Sequence, residues 1–134
     1  MMEKLSEKTN VINWFEIPVT DTARAKKFYE TILDIEMNTQ QFGEEELTFF
    51  PSTPDVIQAT SGRVTGILLK NEFSKPSQDG TVVYINASPD IQKVLDKIEA
   101  YGGKVVVPRT QIIAGFIAQF IDTEGNRVAL HSEY

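Results

Sequence analysis

The feature that most constrains this chain of 134 residues is a pattern that occurs twice: one strand, one helix and three further strands. The first copy opens with residues 11–19, a predicted strand with Asn13, Phe15, Ile17 and Val19 on one face and Trp14, Glu16 and Pro18 on the other. The second copy opens with residues 81–87, which are rich in β-branched and aromatic residues. The later predicted strands are residues 37–40, 47–50 and 64–69 in the first copy, and 105–107, 116–121 and 127–131 in the second. Two copies of one supersecondary unit indicate an α+β fold better than either copy alone.

A helix signal follows the opening strand of each copy. Asp21 is a candidate N-cap, because its carboxylate can accept the free amide hydrogens of the first turn. Ser88 and Pro89 have the same role in the second copy, with proline at the first helical position. Apolar residues then recur at helical spacing in both copies: Ala25, Phe28, Tyr29 and Ile32, then Ile91, Val94, Leu95, Ile98 and Tyr101.

The repeat also predicts how the chain is organised. We expect a flexible N-terminus over residues 1–10 and a single domain over residues 11–134. Module one spans residues 11–70, a polar connector spans 71–80, and module two spans 81–134. A ferredoxin-like regulatory domain shares the strand-helix-strand pattern, but the three strands after each helix argue against that alternative.

Composition excludes several classes of protein. The net charge of −6, from 13 basic and 19 acidic residues, argues against a nucleic-acid partner, since such binding depends on basic patches. There are no cysteines, so disulfides, zinc-thiolate sites and a cysteine nucleophile are excluded. No apolar run approaches the roughly 20 residues of a membrane span. We therefore predict a cytoplasmic protein with no membrane partner.

Two motifs resemble the vicinal oxygen chelate superfamily, which includes glyoxalase I, extradiol dioxygenases and bleomycin-resistance proteins. One is the run over residues 13–29, which begins Asn-Trp-Phe-Glu-Ile-Pro and is similar to a glyoxalase-like subgroup. The other is Asp-Thr-Glu-Gly-Asn at residues 122–126, followed by a closing strand. The resemblance implies two βαβββ modules that form an eight-stranded curved sheet around a cleft, with the helices outside. It also implies a homodimer.

The resemblance further implies four metal ligands, one on each of four strands that face inwards. The first and last ligand positions correspond to Trp14 and Ala129, and the others fall near Val83 and within residues 62–70. Residues 62–70 and 81–88 contain no His, Asp, Glu or Cys, so two of the four strands offer no donor for a transition metal. We predict no metal and no other cofactor at this site.

The first and last predicted strands carry the candidate site residues. Trp14 and Glu16 share one face of the first strand, and Arg127 and His131 share one face of the last. Trp14 could form an aromatic wall for an organic ligand or pack in the core. Arg127 could bind an anionic group or form a surface salt bridge.

Glu16 and His131 are the candidate catalytic residues, since both could face one pocket and transfer protons near neutral pH. Each also has a structural interpretation. Glu16 could be a buried carboxylate that is satisfied by a neighbouring Arg or by backbone amides. His131, the only histidine of the chain, could be a surface or capping residue.

Three functional hypotheses follow, and they leave open whether the protein is an enzyme. We favour a protein that binds a small organic molecule, such as a sequestering or resistance-type binder, without the metal of the superfamily. The alternative is a metal-independent, glyoxalase-like isomerase or lyase that uses Glu16 and His131. The third hypothesis is a metal-dependent lactoylglutathione-lyase-like enzyme or a partner-binding domain without a ligand.

Overall fold

The repeated pattern of the sequence is folded as two βαβββ units. The computed structural model describes residues 4–134. Unit one contains β1 (Phe15–Pro18), α1 (Thr22–Leu33), β2 (Asn38–Phe42), β3 (Glu45–Phe49) and β4 (Gly66–Lys70). Unit two contains β5 (Tyr84–Asn86), α2 (Ile91–Ile98), a short 3-10 helix (Glu99–Tyr101), β6 (Lys104–Ile112), β7 (Gly115–Ile121) and β8 (Arg127–Ser132). The predicted α+β fold is confirmed.

The eight strands are hydrogen-bonded as two four-stranded sheets. Their orders are β1-β4-β3-β2 and β5-β8-β7-β6, so each opening strand lies at an edge beside the last strand of its own unit. The pairs β1–β4 and β5–β8 are parallel, and the remaining pairs are antiparallel. Within residues 4–134, β1 and β5 therefore each have one edge without a strand partner.

One hydrophobic core joins both units. The apolar stripe of α1 is almost completely buried, as the sequence pattern predicts, and the stripe of α2 is buried from Ile91 to Ile98. Aromatic contacts connect the units, since the Phe28 ring lies 5.8 Å from that of Phe120. Tyr101 departs from the prediction: it lies in the 3-10 helix and is 47% exposed, because the α-helix ends at Ile98. Neither helix in the described part of the chain is long and apolar enough to cross a membrane.

The two helix starts differ in how well the sequence predicts them. Asp21 is the N-cap of α1, and its side chain accepts a hydrogen bond from the Arg24 amide, as expected. The prediction that Ser88 caps α2 is wrong. Asp90 is the N-cap, and its carboxylate accepts a 2.9 Å hydrogen bond from the Gln92 amide. A carboxylate directly before the buried Ile91 competes better for this position than a serine two residues earlier.

The segment before β1 lies only partly within the described residues. Residues 1–3 of the predicted flexible N-terminus lie outside them. Asn10 holds the following segment against the loop that precedes β4, because its backbone amide donates to the Ala59 carbonyl at 2.7 Å. Its side-chain amide donates to the Gln58 carbonyl at 2.6 Å.

A buried carboxylate in the turn between β7 and β8 connects the two units. The side chain of Asp122 accepts hydrogen bonds from the backbone amides of Glu124 and Asn126, both at 2.9 Å. It also accepts a 2.6 Å hydrogen bond from the Tyr29 hydroxyl of α1. Burial, together with the adjacent Asp122 carboxylate, raises the pKa of Tyr29 well above its ordinary value. The Asn126 side-chain amide in turn donates to the Pro18 carbonyl of β1 at 2.7 Å.

Glu124, in the same turn, binds the N-terminus of α1. Its carboxylate accepts hydrogen bonds from the backbone amides of Thr20 and Asp21, both at 2.8 Å, and from Arg24 Nε at 2.7 Å. Burial by itself raises the pKa of Glu124, but the hydrogen bonds from Arg24, Asp21 and Thr20 outweigh it and lower the pKa to about 2. The charged form of Glu124 therefore stabilises the contact between the units.

This contact predicts a pH dependence of stability. The folded-state pKa of Glu124 lies below its ordinary value of 4.5, so its contribution is fully present above pH 4.5 and is lost as the pH falls towards about 2. We expect Glu124→Gln to lower the free energy of unfolding by roughly 1–3 kcal/mol near neutral pH, and by less near about pH 3. Urea denaturation at both pH values measures the difference.

Glu36→Gln is the matched control, because Glu36 is an exposed carboxylate. The control should leave the free energy of unfolding almost unchanged near neutral pH. An equal loss for Glu124→Gln at both pH values would show that the ionised carboxylate does not stabilise the fold.

Candidate functional site

A cleft of about 960 Å³ separates β1 of unit one from β5 of unit two. Its volume lies within the usual range for small-molecule sites. Phe50, Pro51, Val64 and Thr65 close the side next to unit one. The remaining wall residues belong to β1, β5 and the segments that precede these strands: Ile12, Trp14, Phe15, Glu16, Thr81, Val82, Val83, Tyr84, Ile85 and Asn86. Most of these side chains are apolar or aromatic.

Glu16 of β1 and Trp14, directly before β1, both line the wall. Ile17 and Val19 belong to the core, so the alternation of the strand turns Trp14 and Glu16 away from the helices. The Trp14 ring packs edge-on against Phe49, with ring centroids 6.3 Å apart, and is 41% exposed. Its indole N–H donates a 3.2 Å hydrogen bond to Glu16 Oε2. Glu16 is exposed, so its interpretation as a buried carboxylate is wrong.

A second, smaller cavity of about 210 Å³ adjoins this cleft. The two cavities share Glu16, Thr81 and Val83, so the Glu16 carboxylate lies at their boundary. Polar groups dominate the far side of the small cavity. They are Lys75, Ser77 and Asp79 of the connector, with Asn126 and Arg127 at the start of β8.

Arg127 makes three hydrogen bonds, two to the connector and one to β7. Its backbone amide donates to the Ser77 carbonyl at 3.1 Å, and its Nε donates to the Gln78 carbonyl at 3.2 Å. Its Nη1 donates to Gln119 Oε1 at 3.0 Å. These contacts place the guanidinium in the wall of the small cavity, where its role towards an anionic ligand stays a prediction.

His131 lines neither cavity. It is half-buried on β8, between Asn86 of β5 and Ile117 of β7, and it is not among the residues that line either cavity. Its Nε2 lies 2.6 Å from the Ala114 carbonyl. Because a carbonyl can only accept, Nε2 carries the proton in this contact. The pairing of Glu16 with His131 across one pocket stays a prediction.

The side chains at the superfamily's ligand positions do not fit a metal ion. Trp14 offers an indole N–H, and Ala129 is a fully buried methyl group beside Tyr84. On β4, the residues in register with Glu16 and Pro18 are Ile67 and Leu69, which are both hydrocarbon. Among residues 4–134, no group of three or more His, Cys, Asp or Glu side chains is arranged to hold an ion.

Sequence reasoning missed Tyr84, which is 47% exposed in the cleft wall. Its hydroxyl lies 3.5 Å from Gln119 Nε2, so the ring is held towards the same side as Ala129 and Gln119. Period-two alternation from Val83 assigns Tyr84 to the opposite face of the strand, so the strand pattern did not identify it. Lys75 and Asp79 were missed because a polar connector carries no periodicity that shows which side chains face a cavity.

Comparison with known proteins gives one family match. Residues 11–130 match the family model of the Glyoxalase/Bleomycin resistance protein/Dioxygenase superfamily. No curated protein matches the sequence.

Solved structures of the superfamily share this fold. Glyoxalase I from Zea mays is 18% identical, with a TM-score of 0.64 over 90% of this chain but only 45% of the maize chain. A glyoxalase/bleomycin resistance protein from Albidiferax ferrireducens T118 is also 18% identical, with a TM-score of 0.63 over 90% of this chain and 97% of its own. Trypanothione-dependent glyoxalase I from Leishmania major is 17% identical, with a TM-score of 0.64 over 92% of this chain and 87% of its own.

At these identities the structural likeness shows the fold alone. The family match covers nearly the whole chain, and the two βαβββ units have the topology that the resemblance implied. The chain therefore belongs to the Glyoxalase/Bleomycin resistance protein/Dioxygenase superfamily.

Proposed function

We propose that this protein binds a small organic molecule in the cleft between β1 and β5, without the metal of the superfamily's enzymes. The observation that supports this most strongly is the cleft itself, which has a volume of about 960 Å³ and a mainly apolar and aromatic wall. A cavity of this size with a few polar groups is the usual form of a small-molecule site.

The wall indicates the chemistry of the ligand. Trp14 and Tyr84 keep large exposed ring surfaces in the cleft, and covering them would release water from apolar area at about 25 cal/mol per Å². The exposed Glu16 carboxylate supplies one acceptor and one negative charge. The net charge of −6 also attracts cations towards the protein. These features favour a ligand with an aromatic or apolar body and a cationic or hydrogen-bond-donating group.

The first test is binding. We expect some members of a panel of aromatic ammonium compounds to raise the melting temperature, since a ligand that binds only the native state stabilises it. Trp14→Ala should weaken this binding about tenfold or more, or roughly 1.4 kcal/mol, because it removes the largest aromatic surface of the wall. Isothermal calorimetry measures the affinity of both proteins.

Tyr101→Ala is the matched control, because Tyr101 is a similarly exposed aromatic residue outside the cleft. It should leave the affinity unchanged. The proposed site is wrong if no compound of the panel binds, or if Trp14→Ala binds as tightly as the unmodified protein.

Metal content is the second test. We expect protein purified without a histidine tag to carry far less than one divalent ion per chain. Among the described residues, those that line the cleft offer one carboxylate and no imidazole or thiolate, and a transition metal usually needs three or more such donors. Elemental analysis by mass spectrometry measures the ratio. One tightly bound ion per chain that is lost on Glu16→Gln would contradict the metal-free proposal.

A metal-independent isomerase or lyase is the second candidate function. The position of Glu16 supports it, because an exposed carboxylate at the boundary of two cavities can approach a bound carbon acid. For any ligand that is turned over, we expect Glu16→Gln to lower kcat by about 100-fold or more with little change in affinity. A parallel loss in His131→Ala would support the predicted acid–base pair, whereas unchanged turnover in both variants would exclude it.

A further inference from the structure

The cleft is bounded by the edges of strands and not by their faces. Its wall includes the consecutive residues 14–16 on one side and the consecutive residues 81–86 on the other. A strand that presents a face to a cavity contributes every second residue. A strand that presents its edge contributes successive residues and, with them, its backbone groups.

At alternate residues of β1, the backbone amide and carbonyl groups point towards the cleft. The Val19 amide donates to the Leu69 carbonyl of β4 at 2.9 Å. By the alternation of a parallel ladder, the amides and carbonyls of Phe15 and Ile17 also face β4. The backbone groups of Trp14 and Glu16 therefore point to the opposite edge, along which the cleft runs.

The partner of Pro18 supports this assignment. Pro18 follows Glu16 by two residues, so its carbonyl should point away from β4 as well. It does so, because it accepts the 2.7 Å hydrogen bond from Asn126 of unit two.

The edge of β5 is arranged in the same way. The Val83 carbonyl accepts from the Ala129 amide at 2.9 Å, and the Ala87 amide donates to the His131 carbonyl at 2.7 Å, so these residues bond to β8. Ile85 lies two residues from both Val83 and Ala87, so its backbone amide and carbonyl also face β8. The backbone amides and carbonyls of Tyr84 and Asn86 must then face the cleft.

We propose that the occupant of this cleft is a short extended peptide, which adds as a strand between β1 and β5. This inference rests on the proposed function, since it specifies the ligand of the same cleft. Amides and carbonyls at Trp14, Glu16, Tyr84 and Asn86 offer hydrogen bonds to both edges of such a peptide. The peptide joins the two four-stranded sheets into one.

The side chains around the cleft define the peptide further. Trp14 and Tyr84 lie exposed in opposite walls, where they contact apolar or aromatic side chains of the peptide. Glu16 selects a lysine or arginine beside it, since its exposed carboxylate is the one acidic side chain that lines the cleft within the described residues. The Pro18 carbonyl already binds Asn126, so the free edge runs from Trp14 to Glu16 and pairs with a peptide of only a few residues.

The experiment compares two blocked peptides that differ only in their backbone. The first is acetyl-Val-Lys-Val-Phe-amide. The second carries N-methyl groups on alternate peptide nitrogens. These groups remove the N–H donors that would bind one of the two strand edges, and they leave the side chains unchanged. Affinity is measured by calorimetry, and amide hydrogen exchange is followed by NMR with and without each peptide.

We expect the unmethylated peptide to bind and to slow exchange at the Glu16, Tyr84 and Asn86 amides by about tenfold or more. The amides of Ile17 and Ile85 are internal controls, since they already bond within the sheets and should change little. The methylated peptide should bind at least about tenfold more weakly.

The remaining outcomes separate this inference from the proposed function. Equal binding of both peptides, or binding without protection of these amides, overturns the strand-addition inference. Binding of aromatic ammonium compounds without binding of either peptide overturns it as well, but leaves small-molecule binding in the cleft intact. If neither class of ligand binds, the inference and the proposed function both fail.

Discussion

The arrangement of the two units depends on the hydrogen bonds that the buried Asp122 carboxylate accepts. It closes the turn between β7 and β8 through two backbone amides and reaches Tyr29 in the helix of the other unit. A buried carboxylate is costly unless its oxygens are all hydrogen-bonded, and here four donors satisfy them. Because Asn126 in the same turn binds β1, this turn sets the position of β1 relative to unit two.

That position explains why the cleft exists. The units are joined through the helices, the core and this turn, while every strand pairs within its own unit. Within the described residues 4–134, the edges of β1 and β5 are thus left without strand partners at either side of the cleft. Among residues 4–134, no group of three or more His, Cys, Asp or Glu side chains is arranged to hold a metal ion, but backbone groups, the exposed rings of Trp14 and Tyr84 and the Glu16 carboxylate remain available to a ligand.

Local patterns predicted much of this arrangement. Helical spacing identified the buried stripe of α1, and strand alternation placed Trp14 and Glu16 on the same side of β1. The errors arose where local signals compete. Ser88 and Pro89 form a good helix start, but Asp90 lies closer to the first buried residue and caps α2 instead. Tyr101 continues the apolar spacing, but the α-helix ends before it, and its ring is exposed.

The sequence by itself determined the repeated βαβββ pattern, the resemblance to the superfamily and the absence of His, Asp, Glu and Cys from residues 62–70 and 81–88, because periodicity, turn residues and side-chain chemistry are local properties. Only the tertiary structure decided that Glu16 is exposed, that Tyr84 lies in the wall of the same cleft and that His131 does not. These three outcomes depend on how the two units pack against each other. That packing includes contacts between residues about a hundred positions apart in the chain, such as Asn126 with Pro18, which no local pattern encodes.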